Sequence, residues 1–213
     1  MSKRNLDKRD KFIVLDGMDG SGKGTQIKLL REKLKGKRVL FTREPGGSPK
    51  AEEIRQMILQ KDEPKSNAVC DFFLFWAARG SHVEDVVAPA RKAGKHVVCD
   101  RYDSSTFAFQ IYGEQQLWLK SLFKIVREGL PKEYKPNLYI MFDLPPKVAF
   151  ERRRKDAEQE KSKFDIKPLA YHKRVRDGFK VFAKEFGSTE FVDANRTPEE
   201  IHEEVWGIIK RMI

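Results

Sequence analysis

Short, wholly apolar runs alternate with stretches of helical periodicity along this chain. Phe12-Ile13-Val14-Leu15 stands directly before a glycine cluster, and similar runs follow at Val39 to Phe41, Val97 to Cys99, Leu138 to Phe142 and, more briefly, Phe191-Val192. Such runs are expected of strands buried on both faces of a parallel sheet. Between them, Ile27, Leu30 and Leu34 fall at i, i+3, i+7, and Ile54, Met57 and Ile58 at i, i+3, i+4. Each set is predicted to share the inner face of a helix. Thr197 as N-cap, Pro198 at the first helical position and Glu200 as the capping-box acid predict where the last helix begins. The pattern predicts a doubly wound α/β fold with five parallel strands flanked by helices, whose ligands gather at the carboxyl ends of the strands.

Length and composition narrow the picture. The 213 residues suit one α/β domain spanning 1–213. The longest wholly apolar run, Phe72 to Ala78, is far shorter than the roughly 20 residues that cross a bilayer. Met1 to Lys11 is charged and has no apolar stretch of the kind a secretory signal needs, so the expected location is the cytoplasm. Cys70 and Cys99 have no metal-ligand spacing and are expected to be buried packing residues. Asn195-Arg196-Thr197 is read as a chance sequon. A formal net charge of +11 favours anionic partners, nucleotides or nucleic acid, without choosing between them. The basic residues gather in a tail at 1–11 and in the charged stretch Glu151 to Lys163, where interleaved acids also allow salt bridging along a helix.

Candidate chemistry begins at Gly17-Met18-Asp19-Gly20-Ser21-Gly22-Lys23-Gly24-Thr25, between the first strand and the first helix. Glycines there let successive backbone N–H groups curl around phosphate oxygens, the lysine reaches the β- and γ-phosphates, and the helix N-terminus adds its positive end. The hydroxyl usual after the lysine is replaced by Gly24, leaving Thr25 or bridging water to hold a metal ion. Thr42-Arg43-Glu44-Pro45-Gly46-Gly47-Ser48 puts an arginine at the end of the second strand, although Pro-Gly-Gly alone would make a plain turn. Asp100-Arg101-Tyr102 closes the third strand with an acid and an arginine able to order a metal ion and grip a phosphoryl group, or simply to pair with each other. Phe72 to Arg79 is an aromatic helix, mostly core, in which one ring and Arg79 could take the face and the edge of a planar base.

In this order and spacing, from Lys11 to about Trp206, the motifs resemble the thymidylate kinase family. The resemblance implies a P-loop NTPase fold with a mobile lid, transfer of the γ-phosphoryl group of ATP to dTMP, Mg²⁺ as cofactor and a homodimer. It implies ATP binding by Gly17, Asp19, Gly20, Ser21, Gly22, Lys23, Gly24 and Thr25, with Asp100 and Thr25 near the metal. For dTMP it implies stacking on Phe75, an edge contact from Arg79, the 3′-hydroxyl at Asp19, and the phosphate between Arg43 and Arg101. Ser105 and Gln110 would line the base pocket, and Phe109 would crowd a ribose 2′-hydroxyl. Family members keep a catalytic arginine either in the P-loop or in the lid. Gly20 leaves none in the P-loop, so the lid, about 152–165, is expected to supply it from Arg152, Arg153 or Arg154. Lys23, Arg101 and Arg153 are then the catalytic candidates.

Two other readings stay open. Gly22-Lys23-Gly24-Thr25-Gln26 also looks like the P-loop of adenylate kinases, which suggests a kinase for another nucleoside monophosphate. The basic tail and net charge suggest a nucleic-acid-binding P-loop protein, though no recognition motif accompanies them. His82, His96, His172 and His202 form no catalytic constellation and are expected at the surface or in packing. Phosphoryl transfer needs none, since the attacking phosphate oxygen has little proton to lose.

Overall fold

The computed structural model of the chain describes residues 10–59, 67–155, 164 and 166–213. Of the predicted basic tail only Asp10 and Lys11 fall within it; most of the 152–165 segment, with Lys161 and Lys163, lies outside the described residues. The five predicted strands are present as β1 (Phe12–Gly17), β2 (Val39–Arg43), β3 (His96–Asp100), β4 (Leu138–Asp143) and β5 (Thr189–Asp193). They form one parallel sheet in the order β2-β3-β1-β4-β5. Every residue of the central strand β1 is buried, which is why its sequence is apolar without alternation. The edge strand β2 is half-buried along most of its length.

Helices cover both faces. They are α1 (Lys23–Lys33), α2 (Pro49–Leu59), α3 (Ala68–His82), α4 (Ala88–Lys92), α5 (Asp103–Thr106), α6 (Leu119–Gly129), α7 (Pro146–Lys155), α8 (Leu169–Glu185) and α9 (Pro198–Met212). A π-helical turn, Phe107–Gly113, extends α5 directly. Its first residue, Phe107, interlocks with Phe123, Phe182 and Phe186 at centroid distances of 5.1 to 6.3 Å across the cluster. Each such buried ring contributes about 1.5–3 kcal/mol relative to exposure. The start of α9 is as predicted, with the Thr197 side chain accepting from Glu200 N and the Glu200 side chain from Thr197 N.

Two expectations about burial, those for Met57 and Cys70, fail for local reasons, and one ring of the mostly buried aromatic helix, Phe73, faces outward. Met57 is 59% exposed because Ala51 and Ile58 carry the inner face of α2, and Met57, next to Ile58 in the chain, is turned about 100° away from it. Phe73, 52% exposed, stands in the same relation to the fully buried Phe72. Cys70 is exposed rather than packed: it lies in the first turn of α3, where its N–H donates to the N-cap Asn67 Oδ1. Cys99 is buried as expected. Among the described residues no helix is long and apolar enough to cross a membrane.

The topology fixes where a ligand can enter. The neighbours of β1, β3 and β4, are reached in opposite directions along the sheet, so a crevice opens beyond the carboxyl end of β1. Register brings Leu15 opposite Asp100 and Arg43 opposite Asp100, which lines up the ends of β1, β2 and β3.

Candidate active site

A cleft of about 570 Å³ occupies that crevice. Asp19 to Thr25 form one wall, curling from β1 into α1, whose N-cap Gly22 has a left-handed φ of 82°. Gly20, at φ 81°, faces the backbone of α7 so closely that a Cβ there would stand 2.4 Å from the Ala149 carbonyl oxygen. Lys23 is buried, with Nζ 3.6 Å from Asp100 Oδ1. The turn thus brings a glycine-rich backbone, a helix N-terminus and an ammonium group to one wall of the cleft, an arrangement suited to an anion. Gly17, expected at the ligand, does not line this cleft. It is a glycine because a Cβ would lie 2.7 Å from the Phe142 carbonyl oxygen of β4, and its own carbonyl accepts from Arg101.

Arg101 is the hub of the cleft floor. Its φ of 67° puts a non-glycine residue in the left-handed region, at a cost of about 1–3 kcal/mol that surrounding contacts must offset. Nη1 donates to Asp16 Oδ1, the Gly17 carbonyl and Ser105 Oγ, and Nη2 donates to Asp19 Oδ1 at 2.7 Å. The guanidinium also lies over the Phe109 ring, 5.1 Å from its centroid. Burial works against its charge, but Asp19, Asp16 and Asp100 outweigh burial and raise its pKa. Burial likewise pushes the Asp19 carboxyl up, and the charges of Arg101 and Lys23 more than reverse this, holding it below its ordinary value.

The inner end of the cleft is a slot between aromatic side chains. Phe75 is half-buried and Phe109 buried, and both line it. Arg79, 1% exposed, is held by Glu44 Oε2 at 2.9 Å and by Thr106 Oγ1 at 3.1 Å. Its Nη1 has no hydrogen-bond partner among the described residues, nor has either end of the buried Gln110 amide. Such orphaned buried groups cost about 1–3 kcal/mol each unless a ligand satisfies them. Together they leave donors and an acceptor unpaired on residues that line the cleft.

The cleft brings together the other candidates except Arg154. Arg43 lines its mouth, with its guanidinium on Glu52 at 2.9 and 3.0 Å, and Ser105 lines the floor. Of the three α7 arginines, Arg152 and Arg153 line it and Arg154 does not. Arg152 is exposed and donates to the Ala194 carbonyl, whereas Arg153 is half-buried and its charge helps lower the pKa of Asp19. Lys155 is part of α7, and its side chain lies outside what is described.

Four participants were not singled out from sequence. Asp16, fully buried at the end of β1, accepts from Gly17 N, Arg101, Ser104 and Ser105. An acid ending an apolar run was its only signal. Glu44 follows Arg43 in the turn after β2, and its sequence position alone gives it no role. His82 is buried, as one reading of it allowed, yet bonded on both nitrogens to Glu44 and Thr42. Arg55 of α2 lines the cleft and donates to the Pro45 carbonyl, and burial and then nearby Arg43 lower its pKa. Nothing local in the sequence marks Arg55.

Known proteins match this arrangement along most of the chain. A sequence model of the family described as thymidylate kinase covers residues 15–205. The thymidylate kinase of Chlamydia caviae is 37% identical over 194 residues, 89% of this chain and 91% of that one. That of Syntrophotalea carbinolica is 39% identical over 202 residues, 92% and 93% of the two chains. The crystal structure of thymidylate kinase from Ehrlichia chaffeensis superposes with a TM-score of 0.71 at 26% identity, covering 94% of this chain and 99% of that one. The parallel sheet with its phosphate-cradling turn is the P-loop fold of that enzyme, and with the family model spanning far more than half of its length, this protein belongs to the thymidylate kinase family.

Proposed function

We propose that the protein is an ATP-dependent thymidylate kinase that transfers the γ-phosphoryl group of ATP to dTMP, giving ADP and dTDP for dTTP synthesis. The observation that carries the reading is a single cleft with an anion-cradling turn at one end and, at the other, an aromatic slot whose Arg79 Nη1 and Gln110 amide lack partners among the described residues. A pyrimidine with a keto oxygen and a ring N–H satisfies those groups. Phe75 supplies its stacking face, and Phe109 stands against a 2′-hydroxyl. Arg43 and Arg101 hold the acceptor phosphate, and Arg55 adds a third cation at that end. Asp19 takes the 3′-hydroxyl.

In the reaction an oxygen of the dTMP phosphate forms a bond to the γ-phosphorus as the bond from that phosphorus to the β,γ-bridging oxygen breaks. The electron pair leaves on ADP. No proton needs to move, so the chain's part is alignment and charge compensation. Lys23 and the P-loop amides hold the donor phosphates, Arg101 bridges donor and acceptor, and Arg153 supplies the lid cation. Arg153 is preferred over its neighbours because it follows Ala149 by four residues, on the face of α7 that meets Gly20.

Asp100 and Thr25 fit a magnesium site. Asp100 Oδ1 is buried without a hydrogen bond, Thr25 lines the cleft, and Mg²⁺ takes one or two protein oxygens with phosphate and water completing its shell. Bound there, Mg²⁺ would neutralise charge on the β- and γ-phosphate oxygens. The whole chain is read as one domain acting in the cytoplasm, with about 152–165 as a lid. A homodimer is supported by large exposed apolar side chains on two touching helices: Phe73 on α3, and Ile125 on α6 with Trp118 just before it. Monomeric soluble proteins rarely leave extended apolar patches exposed.

An ADP-release assay across nucleoside monophosphates with Mg-ATP tests the proposal. Preference for dTMP is expected. Preference for AMP, or no turnover with salt-dependent oligonucleotide binding, would favour the other two readings.

A further inference from the structure

Glu44 sits between the two ends of the acceptor site. Its chain neighbour Arg43 reaches the mouth of the cleft, while its own side chain, 5% exposed, turns inward. Oε2 accepts from Arg79 Nε and also lies 2.9 Å from Arg79 Nη2. Oε1 lies 3.0 Å from His82 Nδ1, and the other nitrogen of that buried imidazole is 2.7 Å from Thr42 Oγ1. The backbone N–H of Glu44 donates to the Asp100 carbonyl at 2.8 Å, which fastens the same residue to the end of β3.

The result is a guanidinium with no remaining freedom. Trp76 and Tyr102 rings lie 4.7 and 4.9 Å from its central carbon, Glu44 takes its Nε side and Thr106 takes Nη2. Nη1 alone has no hydrogen-bond partner among the described residues, and Arg79 lines the cleft. A buried ion pair is a poor way to gain stability, because desolvation offsets most of the attraction and apolar side chains of similar volume often serve as well. What this pair supplies is a direction for Nη1. A planar arginine tolerates no rotation if one particular nitrogen must meet a ligand atom.

We infer that Glu44 is the positioning residue of the acceptor site: its carboxylate, shared between Arg79 and His82, aims Arg79 Nη1 into the slot and ties that aim to the backbone carrying Arg43. The inference rests on the reading of the cleft as a dTMP site. One rigid unit then reads both the base and the phosphate of the acceptor. Loosening it affects how well dTMP is held and leaves the ATP side, built on the P-loop, unchanged.

Steady-state kinetics on the full chain test this with Glu44→Gln, Glu44→Asp, Arg79→Met and the Glu44→Gln/Arg79→Met double variant. Glu44→Gln is expected to raise the KM for dTMP by about tenfold or more, the scale of one hydrogen bond to a charged group, with kcat and the KM for ATP within about twofold. Glu44→Asp keeps the charge but withdraws the carboxylate by one methylene, so it gives the same dTMP-only signature even if Glu44→Gln folds poorly. In the Arg79→Met background Glu44→Gln should add less than about twofold, because its effect passes through Arg79. Full additivity there overturns the positioning role. So does a Glu44→Asp enzyme whose kcat and KM for ATP suffer as much as its KM for dTMP, the pattern of general loosening. A wild-type enzyme that leaves dTMP unphosphorylated overturns the reading of the cleft itself, a failure visible before any substitution is made.

Discussion

Gly20 of the P-loop and Ala149 of α7 pack so closely that a Cβ on Gly20 would lie 2.4 Å from the Ala149 carbonyl oxygen. The contact leaves no room for an arginine at position 20 and seats α7 on the glycine-rich turn before α1. Arg153→Ala is therefore expected to lower turnover by about a hundredfold or more, the scale of one preorganised charge contact at a transition state. Arg154→Ala, an exposed position off the cleft, should change it by almost nothing. Kinetics read beside thermal melting decide the matter, and equal losses from both variants would remove Arg153 from its role.

Lys23→Ala should abolish nearly all turnover, about a thousandfold or more, while the melting temperature stays close to wild type. The lysine's nearest anionic partner is Asp100 Oδ1 at 3.6 Å, too long for a strong hydrogen bond, so folding gains little from it. Ordinary turnover by a folded variant would contradict the P-loop assignment.

Asp19 is paired with Arg101 at 2.7 Å yet half-exposed at the cleft, so it can also meet a sugar hydroxyl. Asp19→Ala is expected to narrow the preference for dTMP over its 3′-deoxy analogue by about tenfold, because the acceptor that the missing donor would leave unpaired is gone. An unchanged preference ratio would mean that Asp19 only orders Arg101.

Asp143 ends β4 in a bidentate pair with Arg176 at 2.6 and 2.7 Å. The Arg176 hydrogen bonds hold its carboxyl below the ordinary value of 3.8, more strongly than burial raises it. A carboxylate with a depressed folded-state pKa stabilises the fold above the unfolded-state value, and this is lost as pH falls through the folded-state value. Asp143→Asn should thus melt about 2–4 °C below wild type near neutrality, the shift expected for roughly 1 kcal/mol. The gap should close at pH values below 3.8. Melting curves across pH test it, and a gap independent of pH would rule out an ionic origin.

Ile125, 68% exposed on α6, and Phe73, 52% exposed on α3, are expected to be covered by a second copy of the chain. Ile125→Glu should shift sedimentation from dimer to monomer, since burying an unpaired charge costs several kcal/mol. A wild-type protein that sediments as a monomer at assay concentrations would dispose of the dimer.

The sequence alone determined those features that depend on neighbours along the chain. Five apolar runs became five parallel strands, the Thr197 capping box opens α9, and the glycine turn before Lys23 leads from β1 into α1 at the wall of the cleft, because strand burial, helix capping and turn geometry are local. Side-chain exposure on a helix is less legible: the spacing of Met57 with Ile54 and Ile58 predicts an inner face, yet Met57 lies about 100° from the buried Ile58 beside it and is exposed. The tertiary structure alone decided which charges share the cleft. Asp16 and Arg101 are separated by 85 positions, Glu44 and Arg79 by 35, and Gly20 meets Ala149 only because α7 folds onto the P-loop. Arg55 reaches the cleft from a helix with no marking motif. Distances of this kind are set by how strands are ordered in the sheet and how helices close over it, and no local propensity encodes either.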